Sequence, residues 1–247
     1  MDPGYDEPVD ARTPGRRSGG ETTTRDDKGR STVASGADGQ FSEDFIEEFD
    51  ELLRWRRDVR HFKTDPIDEA TVESILRSAE LSPSVGNSQP WRWVEVRSPE
   101  PRAVVKETFA RCNADALNGY RGERAQKYLS LKLAGLDEAP VHIAVFCEDE
   151  TLQGHGLGRA TMPETLAYSV VTAIGSLWLS ARARGVGVGW ISIVEPEAVC
   201  QALDVPADWR FVAYLCIGYP AELAAIPELQ RTGWQARTDP KARYFVR

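Results

Sequence analysis

The sequence predicts an α+β domain built around one sheet. Segments with strand character and segments with helical character are mixed along the 247 residues, at irregular spacing. The first strand is not followed by the pattern G-x-G-x-x-G, which is typical of a doubly wound dinucleotide-binding fold. Helices packed against a single sheet fit this order better than a doubly wound parallel sheet does.

Composition sets the class of protein and of partner. The chain is 41% hydrophobic and 28% charged, and it is long enough to bury one sizeable core. A formal net charge of -8 argues against nucleic acid or an anionic membrane as the main partner, because both need a net basic face. No apolar run approaches the roughly 20 residues that span a bilayer, and the N-terminus lacks the apolar core of a signal peptide. We therefore expect a cytoplasmic protein.

Neither the cysteines nor the histidines are spaced as metal ligands. The four cysteines are far apart, without a C-x-x-C pair, and are expected to be buried free thiols: Cys112, Cys147, Cys200 and Cys216. The three histidines do not pair with a carboxylate or with one another at a metal-like spacing: His61, His142 and His155. The sequence therefore predicts no metal site.

The chain is predicted to consist of a tail and a domain. Residues 1–40 are almost free of large apolar side chains, so burial cannot offset the entropy lost on ordering them. We predict a disordered tail over residues 1–40 and a single domain over residues 41–247.

The domain opens with two helices and a strand. The stretch "FSEDFIEEFDELLRWRR" has Ser42 as a candidate N-cap and apolar residues at helical spacing. The stretch "IDEATVESILRSAEL" has Asp68 as a candidate cap, and its helix ends before Pro83. A polar loop then leads to the predicted strand "WRWVEV".

Residues 100–135 predict one or two helical segments that are interrupted by the polar stretch "CNADALNGYRGE". Their weak apolar pattern is typical of an element that covers a site, and residues 112–135 are named the covering segment.

The second half supplies the core. "PVHIAVFC" is β-branched and apolar, as in a buried strand, and "VGVGWISIV" and "RFVAYLCIGYP" predict two more strands, separated by a short helix that Pro196 opens. The helix from Pro163 to Gly185 is apolar nearly all round, so it belongs to the core or to a dimer interface. Residues 220–247 show little periodicity and are named the C-terminal arm, because they are expected to lie on another surface.

The stretch "RRDVRHF" places one carboxylate, Asp58, among Arg56, Arg57 and Arg60. From these residues alone, the cluster is either a solvated group of charges at a helix end or an anion site with an acid or base in its middle.

Two further stretches have both a structural and a functional interpretation. The loop "SPSVGNSQPW" is either a polar turn or a set of hydroxyl and amide groups that binds a ribityl chain or the edge of a heterocycle. The glycines of "GVGVGW" serve turns or allow a flat ligand to approach the backbone. Ser192 lies in no G-x-S-x-G motif, so a hydrolase nucleophile is not predicted.

Six stretches taken in order resemble the nitroreductase-like flavoproteins, and among them the 5,6-dimethylbenzimidazole synthase family. They are "RRDVRHF", "SPSVGNSQPW", "YLSLKLAGLDEAP", "GRATMPETLAYS", "GVGVGWISI" and "GYP", and the resemblance covers roughly residues 41–237. General nitroreductases usually have serine in the place of Asp58, so this residue indicates the synthases. Asn87 departs from that pattern, because it is more typical of nitroreductases.

The resemblance implies a nitroreductase-like homodimer with a mainly antiparallel sheet flanked by helices. It implies two flavin sites at the subunit interface and C-terminal arms exchanged between the subunits. The family fragments reduced FMN with O2 into 5,6-dimethylbenzimidazole, the lower ligand of vitamin B12, and erythrose 4-phosphate. FMN is then a substrate, and a separate flavin reductase is expected to supply it in reduced form.

The resemblance also implies roles for single residues. Asp58 and Ser192 are the expected catalytic residues. The expected FMN-binding residues are Arg56, Arg57, Val59, Arg60, Ser84, Gly86, Ser88, Gly189 and Arg237, with Arg231 as an alternative to Arg237 at the phosphate. Arginines neutralised by a phosphate depress the pKa of Asp58 less than free ones do, and a dry flavin face raises it. Asp58 is thus expected to exchange protons near neutral pH.

Two other functions remain open at this point. One is a conventional nitroreductase or flavin reductase, in which FMN passes hydride from NAD(P)H to an acceptor and survives. The other is a module that stores or delivers FMN without chemistry. An anionic Asp58 argues against the storage module, because it would weaken binding of an electron-rich reduced flavin.

Overall fold

The computed structural model describes residues 39–247. Residues 48–247 form one compact unit that carries the four strands given below. All of the predicted disordered tail except residues 39 and 40 lies outside the described residues, so the tail and the boundary at residue 41 stay predictions.

The two predicted N-terminal helices are present. Helix α1 spans Glu43–Trp55, and the Phe45 amide donates a hydrogen bond to Ser42 Oγ at 3.2 Å, as the predicted cap requires. Helix α2 spans Glu69–Ala79, where the Thr71 amide donates to the Asp68 carboxylate at 2.8 Å. The two helices differ in burial: α2 buries three residues, whereas α1 buries none.

The sheet has four antiparallel strands in the order β1-β2-β4-β3, as the mainly antiparallel fold requires. Their bounds are Trp91–Glu95 for β1, Val141–Glu148 for β2, Gly187–Ile191 for β3 and Trp209–Gly218 for β4. The third strand is shorter than "VGVGWISIV" predicts, because it ends at Ile191, and Ser192 begins the connection to the next helix.

Alternate residues of the strands point into two separate cores. Ile143 and Val145 of β2 pack with α2 and with helix α5, Thr165–Ala183, whereas Ala144 and Phe146 belong to the opposite core. The opposite core is closed by helix α3, Pro99–Leu117, and helix α6, Pro196–Ala202. The sheet therefore lies between two helical layers, as the predicted α+β class implies.

Helix α4, Gly122–Ser130, follows α3 after a break at residues 118–121. The covering segment therefore consists of the end of α3, the break, α4 and the loop at residues 131–135. The C-terminal arm holds the short helix α7, Glu228–Arg231, and a 3-10 turn, Pro240–Arg243. The arm packs on its own chain at its start, where the Ala221 amide donates to the His61 carbonyl at 2.9 Å.

Helix α5 is buried on most of its surface but not on all of it. Eight of its residues are buried, whereas Tyr168 and Val171 are 55% and 45% exposed. Thr172 is exposed too, and these three residues lie on one face of the helix because they are three and four positions apart. The predicted central helix therefore has one stripe that residues 39–247 leave exposed.

The histidines and cysteines have structural surroundings. His142 is fully buried, with Nδ1 3.0 Å from the Tyr214 hydroxyl and Nε2 3.1 Å from the Ala139 carbonyl. Burial lowers the pKa of His142 to about 4, so the ring is neutral at pH 7. All four cysteines are free, as predicted, but only Cys147 and Cys216 are buried, whereas Cys112 and Cys200 are partly exposed. Within residues 39–247, no helix is long and apolar enough to cross a membrane, and no cluster of side chains is suited to hold a metal ion.

Candidate active site

The arginine segment, residues 56–62, follows α1 and runs beside strand β3. The Val59 amide donates to the Val188 carbonyl at 3.0 Å, and Asp58 forms a parallel bridge with Val188. A Cβ at Gly189 would overlap the Val59 carbonyl oxygen, so only glycine allows this approach. The glycine-rich stretch thus admits a segment of its own chain, and a contact of Val59 or Gly189 with FMN stays a prediction.

Asp58 is held by two hydrogen bonds. Its Oδ1 accepts from the Trp190 amide at 2.9 Å, and its Oδ2 accepts from Arg60 Nε at 3.0 Å. The side chain is still 33% exposed. Desolvation raises the pKa of Asp58, while the Trp190 amide and Arg60 lower it to a smaller extent. A carboxyl group with fixed orientation and a raised pKa is suited to transfer protons.

Arg60 links Asp58 to the covering segment. Besides its bond to Asp58, it donates through Nη1 to the Lys132 carbonyl at 3.3 Å, and its side chain is only 13% exposed. The Arg60 guanidinium therefore already donates hydrogen bonds to two groups of its own chain. Its predicted contact with the FMN phosphate stays a prediction.

Arg56 and Arg57 lie nearer to α5 and to the C-terminal arm. The guanidinium carbon of Arg56 lies 4.9 Å from the centre of the Trp178 ring, and within the described part of the chain this side chain donates no hydrogen bond. Arg57 donates through Nε to the Ala225 carbonyl at 3.1 Å. Burial is the main reason why the pKa of each arginine is lowered, and Arg237 lowers both further. These arginines form a cationic cluster that a bound anion would stabilise.

The structure separates the two candidate arginines of the arm. Arg231 donates to Glu222 at 2.6 Å, so its charge is already paired. Arg237 is exposed, donates no hydrogen bond to any described residue, and is close enough to Arg56 and Arg57 to affect both. Arg237 is therefore the better placed of the two to contact a phosphate.

The loop "SPSVGNSQPW" holds a tight turn. The Gln89 amide donates to Ser84 Oγ at 3.0 Å, and Gly86 has a φ of 58° in a 3-10 turn. A Cβ at Gly86 would lie 3.1 Å from the carbonyl oxygens of Gly154 and Leu157, so this glycine is needed for packing. The Ser88 hydroxyl is buried and has no hydrogen-bond partner among residues 39–247.

The loop and the arginine segment contact different parts of α5. The Val85 amide donates to Ser169 Oγ at 3.0 Å, whereas Trp178 Nε1 donates to the Arg57 carbonyl at 3.1 Å. Nine residues of helix separate these two anchors, which is about 14 Å at 1.5 Å per residue. The structure therefore brings Asp58 and the arginines together, but no hydrogen bond in the described chain joins Ser84, Gly86 or Ser88 to them.

Ser192 follows β3 directly and is exposed. Ser192 lies two residues beyond Trp190, which is about 7 Å along the strand direction. The amide of Trp190 is the one that donates to Asp58. Within the described residues, the Ser192 hydroxyl makes no hydrogen bond to the carboxyl group of Asp58, and the predicted catalytic role of Ser192 stays a prediction.

Two groups that hold Arg56 and Arg57 were not predicted from the sequence: the Trp178 ring and the Ala225 carbonyl. Trp178 lies in an apolar helix, where an aromatic residue is most often part of the core. A backbone carbonyl in an arm without periodicity gives no sequence signal at all.

Comparison with known proteins identifies the family. Residues 53–219 match the model of the nitroreductase family. A 5,6-dimethylbenzimidazole synthase of Rhodospirillum rubrum is 59% identical over 197 residues, which are 80% of this chain and 93% of the relative. A synthase of Rhodobacter capsulatus is 50% identical over 185 residues, 75% of this chain and 89% of the relative.

The chain belongs to the 5,6-dimethylbenzimidazole synthase family, within the nitroreductase family. This membership confirms the predicted family, the predicted oxidoreductase class of enzyme and the predicted synthase function. Relatives with nitroreductase names are less similar, so the nitroreductase alternative has only distant support.

The fold of this synthase family member also has a solved counterpart. A crystal structure of iodotyrosine deiodinase bound to FMN and 3-iodo-L-tyrosine superposes with a TM-score of 0.61 at 23% identity. The match covers 71% of this chain and 91% of that one. This similarity confirms the nitroreductase-like fold, whereas exchange of the C-terminal arms stays a prediction.

Proposed function

We propose that this chain fragments reduced FMN with O2 to 5,6-dimethylbenzimidazole and erythrose 4-phosphate. The observation that carries the proposal is the position of Asp58, a carboxyl group fixed by the Trp190 amide and Arg60 at the edge of an arginine cluster. The close relatives that bear the synthase name support the same reaction.

The residues fit the phosphate end of FMN. Arg56 has no hydrogen-bond acceptor within residues 39–247. After burial, which is the main cause, the charge of Arg237 lowers the pKa of both Arg56 and Arg57 through like-charge repulsion. A phosphate dianion would relieve this repulsion and accept the missing hydrogen bonds. Each charge-assisted bond contributes about 1.5–3 kcal/mol.

The loop residues fit a polar ligand as well. The buried Ser88 hydroxyl has no partner in the described structure, and an unsatisfied buried hydroxyl costs about 1–3 kcal/mol. A ribityl hydroxyl or a ring edge of FMN would supply that partner, with Ser84 and Gly86 shaping the loop around it.

In this proposal, Asp58 moves protons and Ser192 orients the substrate. Reduced FMN supplies the electrons that O2 accepts. The raised pKa of Asp58 lets it take up and release a proton closer to neutral pH than an ordinary aspartate does. Its two hydrogen bonds fix the direction in which the proton is transferred, between the C1' region of the ribityl chain and the ring.

The proposal includes a homodimer with flavin sites at the interface. The exposed stripe of α5, with Tyr168 and Val171, supports it, because α5 is otherwise a core helix. The arm ends in three exposed residues with large side chains, Tyr244, Phe245 and Val246, which fit an exchange of the last residues between subunits.

The source of reduced FMN is also part of the proposal. We assign reduction to a separate flavin reductase in the cytoplasm, because in the proposed reaction FMN arrives already reduced and is consumed as a substrate.

Product analysis tests this function. Chemically reduced FMN is mixed with the protein and aerated, and the products are measured by mass spectrometry. The proposal predicts 5,6-dimethylbenzimidazole together with loss of the flavin absorbance. Intact FMN with oxidation of added NADH would instead identify a reductase, and intact FMN without either reaction would identify a storage module.

A further inference from the structure

The covering segment and the C-terminal arm meet in an aromatic cluster that the proposed function does not use. Trp234 of the arm packs edge-on against Tyr120 at 5.3 Å and lies 6.0 Å from Tyr128, as measured between ring centroids. The two tyrosines stack on each other at 4.9 Å, and the guanidinium carbon of Arg124 lies 4.3 Å from the centre of the Trp234 ring. Tyr128 also donates to Asn113 Oδ1 at 2.7 Å.

The cluster is built as a fixed contact and not as a chance approach of exposed rings. Tyr128 is only 7% exposed, and Trp234 is half-buried in an arm whose neighbouring residues are exposed. The edge-on ring pair and the guanidinium over the indole face are the geometries in which such groups attract each other. Among the residues near the end of the arm, Trp234 is therefore the one with a defined docking position.

The covering segment and the C-terminal arm, which meet in this cluster, both also contact the candidate active site or lie close to it in sequence. On the side of the covering segment, the Lys132 carbonyl, four residues after Tyr128, accepts from Arg60, which holds Asp58. On the side of the arm, Arg237 follows Trp234 by three residues, a distance of at most about 10 Å. Arg57 donates to the Ala225 carbonyl earlier in the same arm, so the arm is fixed on both sides of α7.

We propose that Trp234 is a positioning residue that holds Arg237 at the phosphate end of the bound flavin, so that the enzyme prefers FMN to riboflavin. This inference rests on the proposed function, because it takes the phosphate to lie at the arginine cluster. The side chain of Arg237 is exposed and donates no hydrogen bond within residues 39–247, so nothing else there fixes its direction. Docking of Trp234 before the ligand arrives reduces the ordering entropy that Arg237 loses on binding.

A double-mutant cycle tests the inference. Dissociation constants of oxidised FMN and of riboflavin are measured by flavin fluorescence for the wild type, Trp234→Ala, Arg237→Ala and the double variant. We expect Trp234→Ala to weaken FMN binding about 10-fold and to leave riboflavin binding unchanged within about twofold. The double variant should bind FMN no more than about twofold more weakly than Arg237→Ala, because both substitutions remove the same interaction.

Two further variants distinguish a loss of Arg237 positioning from a general loss of stability. Trp234→Phe keeps an aromatic ring in the cluster and should retain most of the preference for FMN. Trp209→Ala is the control, because it also removes an indole that packs against an arginine. The guanidinium carbon of Arg92 lies 5.9 Å from the centre of the Trp209 ring. Trp209 begins β4, about 20 Å along the strand from the active site. Trp209→Ala should leave the ratio of the two dissociation constants unchanged.

The contradicting results are distinct. Equal weakening of FMN and riboflavin by Trp234→Ala, or additive effects of Trp234→Ala and Arg237→Ala, would overturn the inference while leaving the proposed function intact. A wild-type protein with no preference for FMN over riboflavin would overturn the phosphate site itself, and with it this part of the proposed function.

Discussion

At the scale of single residues, the reactivity of Asp58 depends on its burial and on its two hydrogen-bond donors. Desolvation raises its pKa, whereas the Trp190 amide and Arg60 lower it. Sequence analysis predicted both a raised pKa and an effect of the arginines. It could not predict that Arg60 alone of the three would bond to Asp58, because that depends on the strand beside it.

Replacement of Arg60 by Gln should shift the pKa of Asp58 upward. Arg60 stabilises the charged carboxylate through a hydrogen bond and through its charge, so its loss favours the protonated form. The limb of the pH profile of kcat that Asp58 controls should therefore move to higher pH. Arg97→Gln is the control, because it removes an exposed arginine that follows β1, at the opposite edge of the sheet from β3. If this limb of the pH profile has the same midpoint in Arg60→Gln as in the wild type, a group other than Asp58 controls it.

At the scale of elements, the helices and strands could be predicted from the periodicity of the sequence. The contacts between distant segments could not. The helix bounds of α2 and α5 and the three later strands were predictable from caps and apolar patterns. The bridge between Asp58 and Val188 joins residues that are 130 positions apart, and no local pattern encodes it. The glycines of β3 indicated that another group lies close to the backbone of this strand. The sequence could not show that this group is the arginine segment.

The arginine segment is also held by Phe62, which is 5% exposed and lies between glycines of three different elements. A Cβ at Gly135 would overlap the Phe62 ring, and one at Gly218 would lie 2.9 Å from it. Gly135→Ala should therefore destabilise the fold by about 1–3 kcal/mol, the usual cost of overpacking. It should also lower kcat, because Asp58 is displaced with the ring.

Chemical denaturation and steady-state kinetics measure these two effects. The smaller side chain in Gly135→Ala/Phe62→Leu should restore part of the stability. Gly119→Ala is the control, because a Cβ there meets only the Ala116 carbonyl at 3.3 Å. An active, fully stable Gly135→Ala protein would show that Phe62 does not position the segment.

At the scale of the whole molecule, α5 connects the core to the predicted dimer. Its apolar sequence could not distinguish a core helix from an interface helix. The structure shows a buried core face and an exposed stripe, and the interface stays a prediction. The family and the sheet were predictable because the motifs are local and ordered, whereas the role of the arginine cluster as an FMN site stays a prediction. The contact of the arm with the covering segment was not, because it joins aromatic residues more than 100 positions apart.

A charge in the exposed stripe of α5 should break the dimer. We expect the wild type to sediment at twice its mass of 27.4 kDa and Val171→Asp to sediment as a monomer, since a desolvated carboxylate opposes association. FMN binding should weaken at least about 10-fold if the sites form at the interface. Ala103→Asp, on an exposed position of α3, is the matched control. A dimeric Val171→Asp protein would place the interface elsewhere.

The central claim is that Asp58 takes part in the destruction of FMN and not in its binding, and a single turnover of Asp58→Asn tests it most directly. Reduced FMN is bound to the wild type, to Asp58→Asn and to the exposed control Asp65→Asn, and benzimidazole is quantified after aeration. The account predicts FMN affinity within about threefold of wild type for Asp58→Asn, with benzimidazole formation reduced at least about 100-fold. Benzimidazole formed by Asp58→Asn at the rate of the wild type would contradict it.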